Sequence, residues 1–371
     1  MKIIINTAHQ RFGGAVQVAL SFINECKEIS GIEFHVWVGP GVGKSLNQND
    51  FPSNFFFYEF DFGPIGFKNI SSIQGQLEKL EKKIQPDVIM VTSGPSYFHS
   101  HAPQIIGFNL PLYIYPESPF VKRMSLIRRA KLWLKRKIHF RFFKRDAVAY
   151  VVQTEDVNQR VKKALNTDKV YTVTNTCSSF FLHPKPFSRK LPPKKEFEFR
   201  LLTVSAYYPH KDLEIIPFVL KELQKRGFQN FQFVLTLKDE DFERHIGSQN
   251  GIINVGPIPP EECPSLYQEC DIMFLPTLAE CFSASYPEAM AMGKPIITTD
   301  LGFARSICGD AACYYKPQDY KSAANKIIDL AENKEFWNLL VENGKIQLSK
   351  FDTPNERALK YIEICKSYVK T

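Results

Sequence analysis

Runs of four to six mostly apolar residues, each leading into a helix-periodic stretch, recur along this chain in two successive sets, and that alternation limits its fold more than any other feature. The first set opens with a strand over Lys2–Thr7, the pair Gly13-Gly14, and a helix over Val16–Cys26. Phe34–Val38 and Phe55–Tyr58 read as further strands, Ile70–Ile84 as an amphipathic helix stopped by Pro86, and Asp87–Val91 as a buried strand. Leu112–Tyr115 reads as another strand, followed by a basic helix over Val121–Phe143, a strand over Ala147–Val152, a helix over Glu155–Leu165 and a strand over Val170–Thr174. Ser178–Phe197 breaks the rhythm with four prolines and no periodicity, as a linker does. The second set restarts at Arg200–Val204 and runs through Leu213–Arg226, Phe231–Leu237, Ile252–Val255 and Pro260–Cys270 to the strand Asp271–Leu275. Surface helices over Asp319–Asn333 and Glu335–Leu348 precede an amphipathic tail over Pro354–Val369.

Strands alternating with helices call for a mostly parallel sheet covered on both faces. Two sets in 371 residues call for two domains of ordinary size, and an apolar fraction of 44% fills two cores. The expected division is 1–178, a linker over 179–198, 199–350, and a terminal helix over 351–371. Eight cysteines form no CxxC pair and no metal-like cluster. The opening Met1–Asn6 reads as a strand and not as a secretion signal, so the cysteines are expected to be reduced thiols of a cytoplasmic protein. No apolar run reaches the length of a membrane-spanning helix.

The stretch Pro276–Pro295 carries the chemistry. It leaves a buried strand and sets two carboxylates with seven residues between them, Glu280 in the loop and Glu288 just after Pro287 in a helix ending near Gly293. Open α/β sheets bind ligands at the carboxyl ends of their strands. Two carboxylates there accept hydrogen bonds from vicinal hydroxyls, as sugars and riboses present. The plainer reading is that Glu288 complements a helix dipole and Glu280 is solvated. Upstream, Ser205-Ala206-Tyr207-Tyr208-Pro209-His210-Lys211 leaves the first strand of the second set and enters a helix. A lysine and free amides at a helix start welcome an anion.

These segments resemble the donor-binding signature of the retaining glycosyltransferases of family GT4: a Glu, seven residues, Glu-Ala-Met, then Gly-x-Pro and a strand, here Ile296–Asp300. The resemblance runs through 199–350 and, more weakly, 1–178. It implies the GT-B fold, two Rossmann-like α/β domains facing an interdomain cleft, with the C-terminal helix crossing back to the first domain. It implies a nucleotide-diphosphate-sugar donor such as a UDP- or GDP-sugar, no metal and no further cofactor. It assigns Glu288 to the ribose, Glu280 with Cys281, Phe282 and Ser283 to the donor sugar, and Ser205, Ala206 and Lys211 to the diphosphate. Lys211 and Glu280 become the catalytic candidates. The family's second phosphate-binding cation, an arginine, is replaced by Ala206, and Arg305 and His210 are candidates to stand in for it.

Toward the first domain, the resemblance assigns Gly13 and Gly14 to phosphate and acceptor, with Arg11 and Gln17 beside them. The usual first-domain histidine is absent after Leu112–Tyr115, where Glu117 is a candidate base or hydrogen-bond partner. His9, His99 and His101 lie near strand exits without a role. Lys122–Arg145 holds eleven Lys or Arg and no Asp or Glu, interleaved with apolar residues. A basic amphipathic helix of this kind suits an anionic membrane surface, with Arg128, Arg129, Lys131, Lys135 and Arg136 as contacts. A solvated basic face is the plain alternative, and no nucleic-acid motif accompanies the charge. Asp239-Glu240-Asp241 has the DxD form of metal-dependent transferases but reads as a solvated loop. The expected function is sugar transfer to a saccharide or polyprenyl-linked acceptor in bacterial surface polysaccharide (O-antigen or capsule) synthesis, at the inner face of the plasma membrane. The alternatives are an epimerase or other enzyme on the same fold, and a non-catalytic membrane-associated binding module.

Overall fold

The computed structural model describes residues 1–66 and 69–369. The chain forms two compact units, one of Met1–Ile114, Ser125–Asn175 and the chain from Asp352 on, the other of Tyr115–Met124 and Thr176–Phe351.

The first unit is built on seven parallel strands: β1 (Lys2–Asn6), β2 (Glu33–Val38), β3 (Phe55–Glu59), β4 (Val88–Val91), β5 (Gln104–Gly107), β6 (Ala149–Val152) and β7 (Val170–Thr172). Their order is β3-β2-β1-β4-β5-β6-β7. β1 is centred on three consecutive isoleucines with no exposed surface, as a strand covered on both faces requires. Helices α1 (Gly14–Glu25), α2 (Ile70–Ile84), α3 (Leu126–Asp146) and α4 (Glu155–Leu165) connect the strands. α2 turns Ile73, Leu77 and Ile84 inward, and its C-cap Gln85 takes the left-handed conformation, φ 53°, before Pro86 forbids another turn. α4 starts where the Thr154 hydroxyl accepts the Val157 amide N–H at 3.2 Å.

Three expectations fail here. Leu112–Tyr115 is no strand: Pro111–Ile114 is one helical turn, with proline at its start, and β5 lies earlier, at Gln104–Gly107. The basic run is likewise not one helix from Val121. A short turn over Pro119–Lys122 precedes α3, whose N-cap Ser125 hydroxyl accepts from Arg128 N–H at 3.4 Å. Nor does α3 sort its residues by face. At 100° per residue, Leu126-Ile127 and Leu132-Trp133-Leu134 spread around the helix among the basic side chains. Only Phe143 and Asp146 are buried on it, while Leu126, Ile127, Trp133 and Leu134 are exposed.

The second unit carries β8 (Phe199–Thr203), β9 (Phe231–Leu235), β10 (Ile252–Asn254), β11 (Ile272–Leu275), β12 (Ile296–Thr299) and β13 (Ala312–Tyr315), all parallel, in the order β10-β9-β8-β11-β12-β13. Its helices are α5 (Ile216–Lys225), α6 (Asp239–His245), α7 (Cys263–Glu269), α8 (Ser285–Ala291), α9 (Gly302–Cys308), α10 (Tyr320–Glu332) and α11 (Lys334–Leu348). Asp239-Glu240-Asp241 is the first turn of α6 and not a loop, as three acids at a helix start favour. The Pro-rich stretch 179–198 is held to this unit. Phe181 is buried edge-on to Tyr267, Leu191 is buried, and Lys194 Nζ reaches Asp271 at 2.6 Å.

The terminal helix α12 (Pro354–Lys366) opens with a capping box between Thr353 and Glu356. It returns to the first unit, where Ala358, Tyr361, Ile362 and Cys365 join the core of β1, β2 and α1. Residues 370 and 371 of the expected terminal helix lie outside the described residues. All eight cysteines are buried free thiols.

Candidate functional site

In the second sheet the strand order reverses between β8 and β11, both of which pair through their inner edges. Such a switch point opens a crevice at the carboxyl ends of the two strands. The loops leaving those ends are Val204–Asp212 and Pro276–Ala284, the two segments singled out by sequence. They are tied together: Leu278 N–H donates to the His210 carbonyl at 2.8 Å, and Lys211 Nζ lies 2.5 Å from Glu280 Oε1. The Thr277 hydroxyl donates to the same carboxylate oxygen at 3.0 Å. Lys211 and Glu280 keep only about a tenth of their side-chain surface exposed, so this is a largely desolvated ion pair. An ammonium with three N–H donors can hold Glu280 and an anionic ligand together.

Glu288 sits in the middle of α8, where the Tyr267 hydroxyl donates to its Oε2 at 3.2 Å. Its side chain is only partly buried by accessible surface, yet the carboxyl lies deep enough in protein that desolvation lifts its pKa to about 7, against the Tyr267 hydrogen bond and the charge of Lys211. Lys211 thus acts on both carboxylates. The start of α8 is anchored by the Ser285 hydroxyl, which donates to the Val204 carbonyl at 3.3 Å. Cys281 and Ser283, which lie between the two glutamates in sequence, are buried, and the Phe282 ring packs edge-on to Phe351 at 5.9 Å. Ser205 N–H is held by Thr236 Oγ1 at 3.0 Å, which leaves Ala206 exposed at the outer bend.

Three sequence expectations are corrected. Lys211 does not open the helix: it ends a 3-10 turn, Pro209–Lys211, and Asp212 at φ 53° separates it from α5. His210 is a poor replacement for the missing arginine, because burial, and after it the Lys211 charge, pull its imidazole below the ordinary value and disfavour the charged form, against the pull of Glu280. Arg305 is already held by both oxygens of Asp300, at 2.5 and 2.9 Å, and lies over the Tyr314 ring.

In the first unit the strand order reverses between β1 and β4. Gly13 caps α1 at φ 84°, a backbone shape that suits glycine, and a side-chain carbon at Gly14 would meet no protein atom within 4 Å. Arg11 is paired with Asp61 at 2.8 Å, and Gln17 is exposed. His9, given no role by the sequence, is partly buried. Its Nε2 lies 2.8 Å from the Ser93 carbonyl, which only accepts, so the proton is on Nε2 and Nδ1 presents a lone pair. Desolvation lowers its pKa to about 4, so the ring is neutral. Glu117, expected on the first domain, belongs to the second unit, where it is exposed beside Ser118. Among the described residues no three His, Cys, Asp or Glu side chains converge as a metal-binding group. No described helix is long and apolar enough to cross a membrane.

Tyr267, Thr277 and Ser118 were not legible as site residues. Each is a common residue type; Tyr267 and Ser118 find their partners, Glu288 and the Leu278 carbonyl, 21 and 160 residues away, and Thr277 meets Glu280 only through the shape of the loop.

Residues 198–333 match the family model described as glycosyl transferases group 1. An uncharacterized glycosyltransferase of Methanocaldococcus jannaschii is 30% identical over 159 residues, covering 40% of this chain and 43% of that protein. The O-antigen chain mannosyltransferase B of Escherichia coli is 21% identical over 199 residues, covering 51% of this chain and 52% of that one. The chain thus spans about half the length of the curated relatives it matches, or somewhat less. The crystal structure of WaaG, a glycosyltransferase involved in lipopolysaccharide biosynthesis, superimposes with a TM-score of 0.70 at 14% identity over 98% of this chain and 99% of that one. At that identity the likeness shows the fold, GT-B, and not the substrates.

Proposed function

From the match of residues 198–333 to the glycosyl transferases group 1, we propose that this protein is a retaining transferase moving a sugar from a nucleoside-diphosphate sugar to a saccharide or lipid-linked saccharide. The observation that carries this reading is the convergence of Lys211, Glu280 and Glu288 on the β8–β11 switch point. Lys211 meets the diphosphate, Glu280 and the loop Cys281–Ser283 meet the donor sugar, and Glu288 meets the ribose. In the transfer the bond from the anomeric carbon to the diphosphate oxygen breaks and a bond to the acceptor oxygen forms on the same face. The acceptor proton passes to the departing phosphate oxygen. The protein orients the reactants and stabilises the charge on the leaving group, with no metal assigned. The acceptor hydroxyl is taken on the first unit, at Gly13 and Gly14.

Likeness to an O-antigen mannosyltransferase and to a lipopolysaccharide glycosyltransferase supports a pathway of surface polysaccharide assembly. The exposed apolar residues of α3 among its nine cations support docking on the anionic inner face of the plasma membrane.

The test is a thermal-shift screen against UDP, GDP, ADP, CMP and their sugars, with Lys211→Ala and Glu288→Ala alongside. One diphosphate at a hundred times its Kd stabilises by about 2.7 kcal/mol, and both variants lose that shift. No shift with any nucleotide overturns the donor assignment. Consumption of the sugar nucleotide with no acceptor present turns the reading toward an epimerase.

A further inference from the structure

The segment Tyr115–Met124 lies among first-unit residues in sequence but makes its contacts in the second unit. It touches both donor loops. The buried Ser118 hydroxyl donates to the Leu278 carbonyl, 160 residues away, at 2.7 Å. Arg123 Nη1 donates to Asp212 Oδ1 at 2.5 Å, and Nη2 donates to the Pro209 carbonyl at 3.1 Å. One guanidinium therefore grips both ends of the four-residue turn whose third residue is Lys211. The Phe120 ring lies under that guanidinium, 5.3 Å from it, and edge-on to His210 at 6.1 Å. Tyr115 packs edge-on to Phe303 at 6.0 Å.

The turn needs this grip. Asp212 adopts φ 53°, a left-handed shape uncommon outside glycine, which aspartate and asparagine take more readily than other residues when the side chain is held by a polar partner. Its carboxylate side chain is 7% exposed, and Arg123 is its ion-pair partner. Removing one partner of such a pair leaves a buried charge uncompensated. A turn relieved of the Pro209 and Asp212 contacts is free to leave this shape, and Lys211 moves with it.

We propose that Tyr115–Met124 is a strap over the donor loops and that Arg123 is a positioning residue, holding the Pro209–Asp212 turn so that Lys211 meets the diphosphate. This rests on the donor-site reading above. Arg123 acts through Lys211 and the turn; its contribution is geometry.

Two measurements on the full chain test it. The first needs no ligand: amide hydrogen exchange of wild type, Arg123→Ala and Arg123→Lys. Loss of charge-assisted contacts should speed exchange in 205–212 by about tenfold or more in Arg123→Ala while β8 and β11 keep their protection, with Arg123→Lys intermediate. Unchanged exchange in 205–212, or a loss spread over the whole unit, overturns the strap. The second compares UDP with uridine, or GDP with guanosine, whichever base the wild type binds. Arg123→Ala should weaken the diphosphate by about tenfold and leave the nucleoside unchanged, because Glu288 is untouched. Equal weakening of both overturns the positioning role. If Arg123→Ala fails to fold, Arg123→Lys carries both readouts, since lysine keeps the charge but cannot fork to two acceptors. A wild type that binds no nucleotide overturns the donor reading and the role of Lys211 with it, while hydrogen exchange still decides whether the strap exists.

Discussion

Lys211 and Glu280 define the site at the residue scale. Their charges are 2.5 Å apart and nearly out of water, so removing either strands the other. Lys211→Ala and Glu280→Ala are each expected to destabilise the protein by about 3 kcal/mol, and the double variant by less than the sum, with a coupling of about 1–3 kcal/mol. Urea unfolding of the four proteins measures this, and strictly additive losses mean the pair does not form in solution. Glu288 adds a pH dependence. Its carboxyl is lifted from 4.5 to about 7 in the folded chain, so the unfolded chain ionises first. Its stabilising share is therefore full below pH 4.5 and is lost as pH rises through 7, a change on the order of 3 kcal/mol. Glu288→Gln should be relatively more stable than wild type at pH 8 than at pH 5. Ribose hydroxyls need the ionised carboxylate as acceptor, so nucleotide affinity of wild type relative to Glu288→Gln should rise between pH 6 and 8. A constant difference contradicts the assignment.

At the scale of elements, the terminal helix shows how a polar sequence earns its place by one face. Tyr361 is buried with its ring edge-on to Phe22 at 5.0 Å. Tyr361→Ala should cost about 3–5 kcal/mol, and Thr353→Ala, which breaks the capping box, about 1 kcal/mol. Thermal melts that leave the two variants alike count against this packing. The elements legible in sequence were those with strong periodicity or clear stops: β1, α2 up to Gln85-Pro86, α4 between Thr154 and Asn166, and the β11–α8–β12 run. The misread ones were short. Gln104–Gly107 has two apolar residues, and its burial comes from β4 and β6 on either side. Leu112–Tyr115 alternates like a strand, yet Pro111 starts a helical turn there.

For the whole molecule, charge is the distinguishing property. Eleven of the 47 basic residues fall in 122–145, around exposed Leu126, Ile127, Trp133 and Leu134. If each cation near an anionic bilayer contributes about 1 kcal/mol, replacing Arg128, Arg129, Lys131, Lys135 and Arg136 by Gln should weaken binding to phosphatidylserine vesicles by roughly a hundredfold or more, with neutral vesicles unaffected. Raising the salt should do the same to the wild type. Equal binding to neutral vesicles would leave the basic run as a solvated helix.

The division into two parallel-sheet units, and the loops that carry Lys211, Glu280 and Glu288, followed from the sequence, because hydrophobic period and turn residues are local signals and the switch-point rule is general. Tertiary structure alone decided which charges meet. The Lys211–Glu280 pair, the Tyr267 hydroxyl on Glu288 and the reach of Arg123 to Pro209 and Asp212 each join residues separated along the chain, and the burial that disfavours a charge on His210 comes from its surroundings in space. Pairing and desolvation depend on distance in space, and no window of the sequence contains that distance.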